Sequence, residues 1–600
     1  MFQSFHNTAS PEAGAERLAA LREAIEAEGL TGFLVPRADA HQGEYVADRD
    51  ARLAWLTGFT GSAGFCVVLP GIAGVFVDGR YRVQVKVQVD TVHFTPVDWP
   101  EVKPAPWLKD HLPDGGIIGF DPWLYTAEQV EQMEQGLKGS GITLRACSNL
   151  IDRIWPDQPA APTGAISVYP VELAGRDHAD KRAEMAEQLK QANHKAAVIT
   201  LPDSIAWSLN IRGRDILRNP VAHAFAILYD SAKLALFVDE AKLDEPAQAH
   251  LGDEVEIRPV AEFGAALQDL TGPVRLDKTW IPLWVVQQLD DTGVEHEWGD
   301  EPPILPKACK HEAEIAATRE AHLRDGAALC EFLTWFDAQA PGTISEIDVV
   351  TKLEGCRATS GKLLDISFDT IAGSGPHGAL AHYRVTHDTN RTLEDGDLLV
   401  LDGGGQYLDG TTDITRTLPV GRIGEDERAA FTRVLQGMIA ISRLRWPEGL
   451  AGRDLDAIAR YPLWLADQDY NHGTGHGVGV ALCVHEGPQR LSRISHVPFR
   501  PGMIVSNEPG YYREGAFGIR IENLVVVTPA EPITGGDQTG KLCFETLNWV
   551  PIDRRLIDVA MLSTPERDWL NTYHATCRDK VRPRLSEAAA KWLDHATAPL

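Results

Sequence analysis

The chain has 600 residues, 44% of them hydrophobic, and 15 tryptophans, which is too much for one core and enough to fill several. A formal net charge of −28 excludes a nucleic-acid binder driven by charge and favours solubility. No apolar run reaches the roughly 18 to 20 residues that span a bilayer, the first residues lack the basic and apolar segments of a secretory leader, and the eight cysteines form no CxxC pair, so no membrane partner and a reducing, cytoplasmic setting are expected.

Residues 11–29 pattern as an amphipathic helix with Leu18, Leu21 and Ile25 on one face, the period that buries a single stripe. A strand at 32–36 follows, then apolar runs at 63–69 and 74–78 that read as a hairpin around Pro70-Gly71. The same order returns later: a helix over 182–193, a strand at 196–200, and runs at 225–229 and 236–239 that match the two hairpin arms. Four elements in matched order point to a duplicated α/β domain, although short β patterns also coincide by chance. The repeat is too long for a solenoid.

Pro156-Asp-Gln-Pro-Ala-Ala-Pro162 and Glu301-Pro-Pro-Ile-Leu-Pro306 read as linkers. The expected domains are therefore 1–155, 160–305 and 307–545, with a C-terminal extension at 546–600. The third domain carries helices at 310–339, 344–359 and 426–442 and strands near 397–401, 411–417, 503–508 and 519–527, an α+β pattern. The extension holds helix-like stretches at 564–580 and 585–595.

The chemistry concentrates in the third domain. Asp402 closes the run 397–401, and Asp413 follows it across a Gly-rich turn, so a hairpin can bring both carboxylates to one point. Alone, such a pair is usually turn chemistry. His472-Gly-Thr-Gly-His-Gly-Val-Gly479 sets glycines on both sides of His476, which argues against a helix and for a tight loop passing close to a ligand. A lone histidine would more often be a satisfied core residue. His485 follows in Val484-His-Glu-Gly-Pro488. Glu508 ends an apolar strand before Pro509-Gly510, a place where glutamate is usually solvated. In Gly518-Ile-Arg-Ile-Glu-Asn523, alternation puts Arg520 and Glu522 on one face and Ile519, Ile521 and Asn523 on the other. Charges in such an apolar strand are costly unless partnered. Asp402, Asp413, Glu508 and Glu522 bring four negative charges around a neutral His476. Two divalent cations balance them; without metal some carboxylates would stay protonated. A two-metal hydrolytic centre accounts for all five residues.

These strings resemble the aminopeptidase P family of pita-bread metallopeptidases (family M24), in its long, three-domain cytosolic form. The resemblance rests on Ala381-His-Tyr383, the Asp402 to Asp413 segment, His472-Gly-Thr-Gly-His-Gly477, Val484-His-Glu-Gly-Pro488, Asn507-Glu-Pro-Gly-Tyr-Tyr512 and Gly515-Ala-Phe-Gly-Ile-Arg-Ile-Glu-Asn523. It runs the length of the chain through Asp39-Ala-His-Gln-Gly-Glu-Tyr45, Gly61-Ser-Ala-Gly64, Asp78-Gly-Arg-Tyr81 and Asp568-Trp-Leu-Asn-Thr-Tyr-His574.

The resemblance implies an α/β multidomain fold: two similar α/β domains, like the creatinase/prolidase N-terminal domain, followed by an α+β pita-bread catalytic domain. It implies two divalent metal ions, manganese before cobalt or zinc. Asp402 would chelate one, Asp413 and Glu522 would bridge both, and His476 and Glu508 would complete the second. The implied reaction is metal-dependent hydrolysis of the N-terminal X–Pro bond by a hydroxide held between the metals, with release of residue X. Glu508 would shuttle the proton and His485 would hold the tetrahedral oxyanion. His382 and His472 would line the prolyl side, with Tyr512, Arg520 and, from the first domain, Arg80 and the 39–44 loop as further substrate contacts. Peptides with proline in second place and a homodimer are the implied partners. His377 and the pair Gly403-Gly404 depart from the expected pattern.

Prolidase uses the same five ligands but is usually shorter. Methionine aminopeptidase lacks the large N-terminal region. Metal-free binding modules on this fold have lost ligands that stand here. A purely structural salt-bridge role leaves the three histidine motifs without a reason.

Overall fold

A computed structural model describes residues 1–537 and 540–600. They fall into two compact units: Thr8–Val171 with Arg176–Ile304, and Met1–Asn7 and Glu172–Gly175 with Leu305–Leu600.

The first unit holds two six-stranded sheets. One has the order Thr95–Asp98, Ala73–Val77, Phe65–Val68, Gly32–Pro36, Gly116–Phe120, Ile142–Ala146. The other has the order Val255–Arg258, Leu234–Phe237, Phe225–Tyr229, Ala196–Ile199, Val274–Leu276, His296–Trp298. Successive pairings run parallel, antiparallel, antiparallel, parallel, parallel in both sheets. The duplication read from four elements thus extends to all six strands. Gly32–Pro36 and Ala196–Ile199 are buried along their whole length, as strands covered on both faces are. In the first sheet alternate residues feed two cores. Phe33, Val35, Cys66 and Val75 pack on Leu18, Leu21 and Ile25 of helix Gly14–Ala27, while Leu34, Val67, Phe76 and Ile118 pack with Trp107, Leu108 and Val130.

In the second unit, helix Glu312–Phe336 starts at a capping box formed by His311 and Glu314, and Glu346–Ala358 at one formed by Ser345 and Asp348; each satisfies orphan N–H groups of its first turn. Strand Leu398–Gly403 pairs with Ile371–Ser374 on one side and Ile414–Pro419 on the other. A small sheet joins Asp365–Ile366, Gly405–Tyr407 and Gly410–Thr411. A six-stranded sheet runs Arg445–Pro447, Lys541–Thr546, Asn523–Pro529, Ile504–Asn507, Gly475–Gly477, Glu486–Leu491. The extension packs into this unit: Leu570, Tyr573 and Cys577 of helix Thr564–Val581 share a core with Leu398, Ile519 and Ile521.

Three sequence expectations change here. The single strand expected at 411–417 is two, Gly410–Thr411 and Ile414–Pro419, and the one expected at 519–527 is Phe517–Arg520 and Asn523–Pro529. In each case the chain changes partner: Gly410–Thr411 pairs with Gln406–Tyr407 but Ile414–Pro419 with Leu398–Gly403, and Phe517–Arg520 pairs with Gly510–Arg513 but Asn523–Pro529 with Ile504–Asn507. The alternation expected through Ile521 and Glu522 is interrupted there. Third, His476 lies not in a loop but in the short strand Gly475–Gly477. Its flanking glycines allow that strand to sit inside the sheet: a Cβ at Gly475 would lie 1.8 Å from Ser506 O, and one at Gly477 would lie 2.4 Å from Glu486 O.

Candidate metal centre

Asp413 and Glu522 stand in the two gaps where the chain changes sheets, so their side chains leave the ladder alternation and turn inward. Asp402 lies opposite Thr415 on the neighbouring strand, and Glu508 follows the strand Ile504–Asn507. Asp413, His476 and Glu522 present ligand-type atoms that all lie within 4.8 Å of one another. His476 Nε2 is 3.5 Å from Asp413 Oδ2 and 3.4 Å from Glu508 Oε1. His476 Nδ1 lies 2.9 Å from Gly477 O; donation there fixes the tautomer and leaves Nε2 with a lone pair for a cation.

The charges do not balance. Arg520 Nη2 donates to Asp402 Oδ2 at 2.6 Å, and this guanidinium and the His476 ring face four carboxylates. Asp402 Oδ1, Asp413 Oδ1 and Glu522 Oε1 are buried without a hydrogen-bond partner. Burial, and then the charges of Asp413, Asp402 and Glu508, push the Glu522 carboxyl well above the usual range. Burial raises Asp402 despite Arg520, and raises Glu508 despite His476. Burial disfavours the His476 imidazolium, but Asp413 and Glu508 outweigh it and lift His476 to about 9. All four shifts have one cause, a buried site short of positive charge. Four carboxylates, one imidazole and three unanswered oxygens fit hard or borderline divalent cations.

The other expected site residues divide. Arg520 Nη1 donates to Tyr512 Oη at 2.6 Å, and Tyr512 Oη lies 2.9 Å from His472 Nε2. His472 Nδ1 lies 2.7 Å from Gly473 O, so Nε2 accepts the tyrosyl proton and Arg520, Tyr512 and His472 form one chain. Burial raises Tyr512 to about 12, keeping it a donor. The His485 ring meets His476 edge-on, centroids 4.2 Å apart. His382 is half-buried in the turn after Gly375–Ala379. That segment touches the strand carrying Arg520, since a Cβ on Gly518 would lie 1.7 Å from Gly378 O. Arg80 belongs to the first unit, where Nη2 donates to Asp78 Oδ2 at 2.6 Å.

The metallopeptidase family M24 model matches residues 316–529, creatinase/prolidase N-terminal domain models match 17–154 and 157–314, and the model for the C-terminal region of peptidase M24 matches 540–600. A probable Xaa-Pro aminopeptidase P of Talaromyces marneffei is 36% identical over 98% of this chain and 92% of its own. The chain belongs to the aminopeptidase P family of M24 metallopeptidases. Aminopeptidase P2 of Arabidopsis thaliana is 37% identical, over 98% of this chain and 88% of its own. The solved X-prolyl aminopeptidase of Caenorhabditis elegans, described as a cytosolic enzyme with a di-nuclear active site, superposes with a TM-score of 0.93 at 33% identity, covering 98% of this chain and 100% of that one.

Within this aminopeptidase P fold, two supporting residues escaped the sequence reading. Thr415 Oγ1 donates to Glu522 Oε2 at 2.8 Å, and Arg520 Nε donates to Thr415 Oγ1 at 3.2 Å. Ser506 Oγ accepts from His476 N at 2.8 Å and donates to Glu508 Oε1 at 3.0 Å. Thr415 reaches Glu522 from strand Ile414–Pro419, so no local spacing in the sequence announces it, while Ser506 lies two residues before Glu508.

Proposed function

We propose that the chain is a metal-dependent Xaa-Pro aminopeptidase that removes the first residue of peptides with proline in second place. The observation that supports this most is the buried, cation-deficient group of Asp402, Asp413, His476, Glu508 and Glu522 in a chain of this family. Asp402, Asp413, His476, Glu508 and Glu522 would together hold two divalent cations; manganese is the proposed ion. When bound, the cation pair supplies Lewis acidity and an ionised water as nucleophile. Glu508, raised by burial and steadied by Ser506, takes the water proton and delivers it to the prolyl nitrogen. His485 donates to the tetrahedral oxyanion. Arg520 neutralises Asp402 and orients Tyr512 and His472, which with His382 face the prolyl side. An X–Pro bond is a tertiary amide without N–H, so this machinery makes no use of that donor.

A cytoplasmic location belongs to the same proposal. Among the described residues no helix is long and apolar enough to cross a membrane. A homodimer does too, supported by the exposed Tyr461, Trp464, Leu465 and Ile494, side chains that interfaces cover.

The test is cleavage of Arg-Pro-Pro and Arg-Pro by the manganese-loaded protein. Arginine release chiefly from the tripeptide, lost with chelator, is the expected result. Preference for the dipeptide would make it a prolidase, and no cleavage of either would end the proposal.

A further inference from the structure

Two buried lysines of the second unit have no part in the reaction just described. Glu486 is 3% exposed, and both its oxygens are gripped by ammonium groups. Oε1 accepts from Lys307 Nζ at 2.9 Å and Oε2 accepts from Lys310 Nζ. Lys307 and Lys310 are buried as well, and Lys310 Nζ also donates to Lys307 O at 2.7 Å. Taking three charges out of water is unfavourable, and an apolar trio of equal volume would hold a core as well. What the ionic trio adds is direction: a carboxylate held at both oxygens can neither rotate nor slide.

Both ends of this clamp lead to the site. Lys310 N donates to Gly502 O at 3.1 Å, and Cys309 bridges Met503. Gly502 has φ +88, and a Cβ there would lie 2.7 Å from Lys310 O. The lysine segment is therefore pressed onto the turn that opens strand Ile504–Asn507, whose far end delivers Glu508. At the other end, Glu486 opens strand Glu486–Leu491 and pairs with Gly477, with a register shift between His476 and Gly477. His485 directly precedes the clamped residue in the chain, and its ring centroid lies 4.2 Å from the His476 ring with planes at 84°.

We infer that Glu486, gripped by Lys307 and Lys310, is a positioning group for His485. It fixes where the imidazole that meets the oxyanion stands relative to His476 and Glu508. The inference rests on the role proposed above for His485.

The test crosses Lys310→Met and Glu486→Gln with His485→Ala, with Lys310→Arg as the conservative change. The readouts are kcat and KM on Arg-Pro-Pro, metal per chain, Tm, and the His485 ring resonance in isotope-labelled protein, assigned through His485→Ala. Lys310→Met lowers kcat about tenfold, less than the roughly hundredfold of a misplacement of about 1 Å, and leaves KM within about twofold and metal content intact. It moves the His485 resonance and has no further effect on kcat in the His485→Ala background, because coupled groups are non-additive. Lys310→Arg restores most of kcat. Additive losses, an unmoved resonance, or metal lost in step with activity overturn the inference. If Lys310→Met fails to fold, Glu486→Gln carries the same cycle. An inactive wild-type enzyme would strike the proposed activity alone, and the resonance would then decide the clamp.

Discussion

Two clusters of the same residue types differ in how far their charges are met. Asp39, Asp50 and His223 in the first unit bring ligand-type atoms within 4.8 Å, as do Asp413, His476 and Glu522 in the second. In the first cluster most carboxylate oxygens are answered, Asp39 Oδ2 alone being buried without a hydrogen bond. Asp50 Oδ1 accepts from Arg52 Nη1 at 2.8 Å. Asp39 Oδ1 accepts from the N–H groups of His41 at 2.9 Å and Gly43 at 3.2 Å, and His223 Nε2 lies 3.3 Å from Asp39 Oδ2. Burial pushes the Asp39 carboxyl up, but His223, His41 and the Gly43 N–H outweigh it, and it ends below its usual value. Asp50 ends above its usual value, burial and the charge of Asp39 outweighing Arg52, and in the second cluster Asp402, Glu508 and Glu522 all end above theirs. Residue type does not separate a salt-bridge cluster from a metal centre; the balance of charge does.

The largest effects follow from removing a ligand. Glu522→Gln or Asp413→Ala abolishes peptide cleavage and takes metal content toward zero, measured by elemental analysis, while His223→Gln leaves metal content unchanged. Metal bound through His223 would collapse the distinction. His485→Ala lowers turnover about a hundredfold, the range for a lost oxyanion donor, with metal retained; equal losses of turnover and metal would make it structural.

Stability sharpens the contrast. In the metal-free protein Glu522→Gln removes a repelled carboxylate and raises unfolding free energy by on the order of 1–3 kcal/mol at neutral pH. Asp39→Asn lowers it by about 1–3 kcal/mol, the worth of hydrogen bonds to a charged group. Denaturant titration of the two variants reads both signs. The pH dependences of Glu522 and Asp39 are opposite as well. Glu522, Asp402 and Glu508 are raised, so their contribution is full below the ordinary carboxylate range and is lost as pH rises through the folded values. His476 acts in the same direction, its contribution being lost between 6.5 and about 9. Asp39 is lowered, so its contribution is present above 3.8 and lost as pH falls. Metal-free protein therefore weakens on the alkaline side. Comparing it with metal-loaded protein separates this from Glu301, which burial pushes up to about 8. Equal alkaline limbs with and without metal would contradict the charge argument. The smallest effect is Tyr512→Phe, which loses the hydrogen bonds to Arg520 and His472 at a net cost of about 1 kcal/mol, roughly fivefold in kcat.

Much of this was legible in the sequence because it is local. Leu18, Leu21 and Ile25 announce their helix by spacing, and the runs 65–68 and 225–229 announce their strands by composition. The breaks at Asp413 and Glu522 were not legible. They arise because each strand changes partner, and partner choice depends on residues distant in sequence. The strand around His476 was missed for a related reason: glycine reads as a loop former until the neighbours that forbid a Cβ, Ser506 and Glu486, are known. The Glu486 clamp was invisible because Lys307 and Lys310 lie over 170 residues away in sequence.

The most direct measurement is metal stoichiometry after equilibration with manganese and removal of excess, in the wild type and in Glu522→Gln and His223→Gln. The account predicts two ions per chain in the wild type and in His223→Gln, and close to none in Glu522→Gln. Two ions retained in Glu522→Gln, or ions lost in His223→Gln, would contradict it.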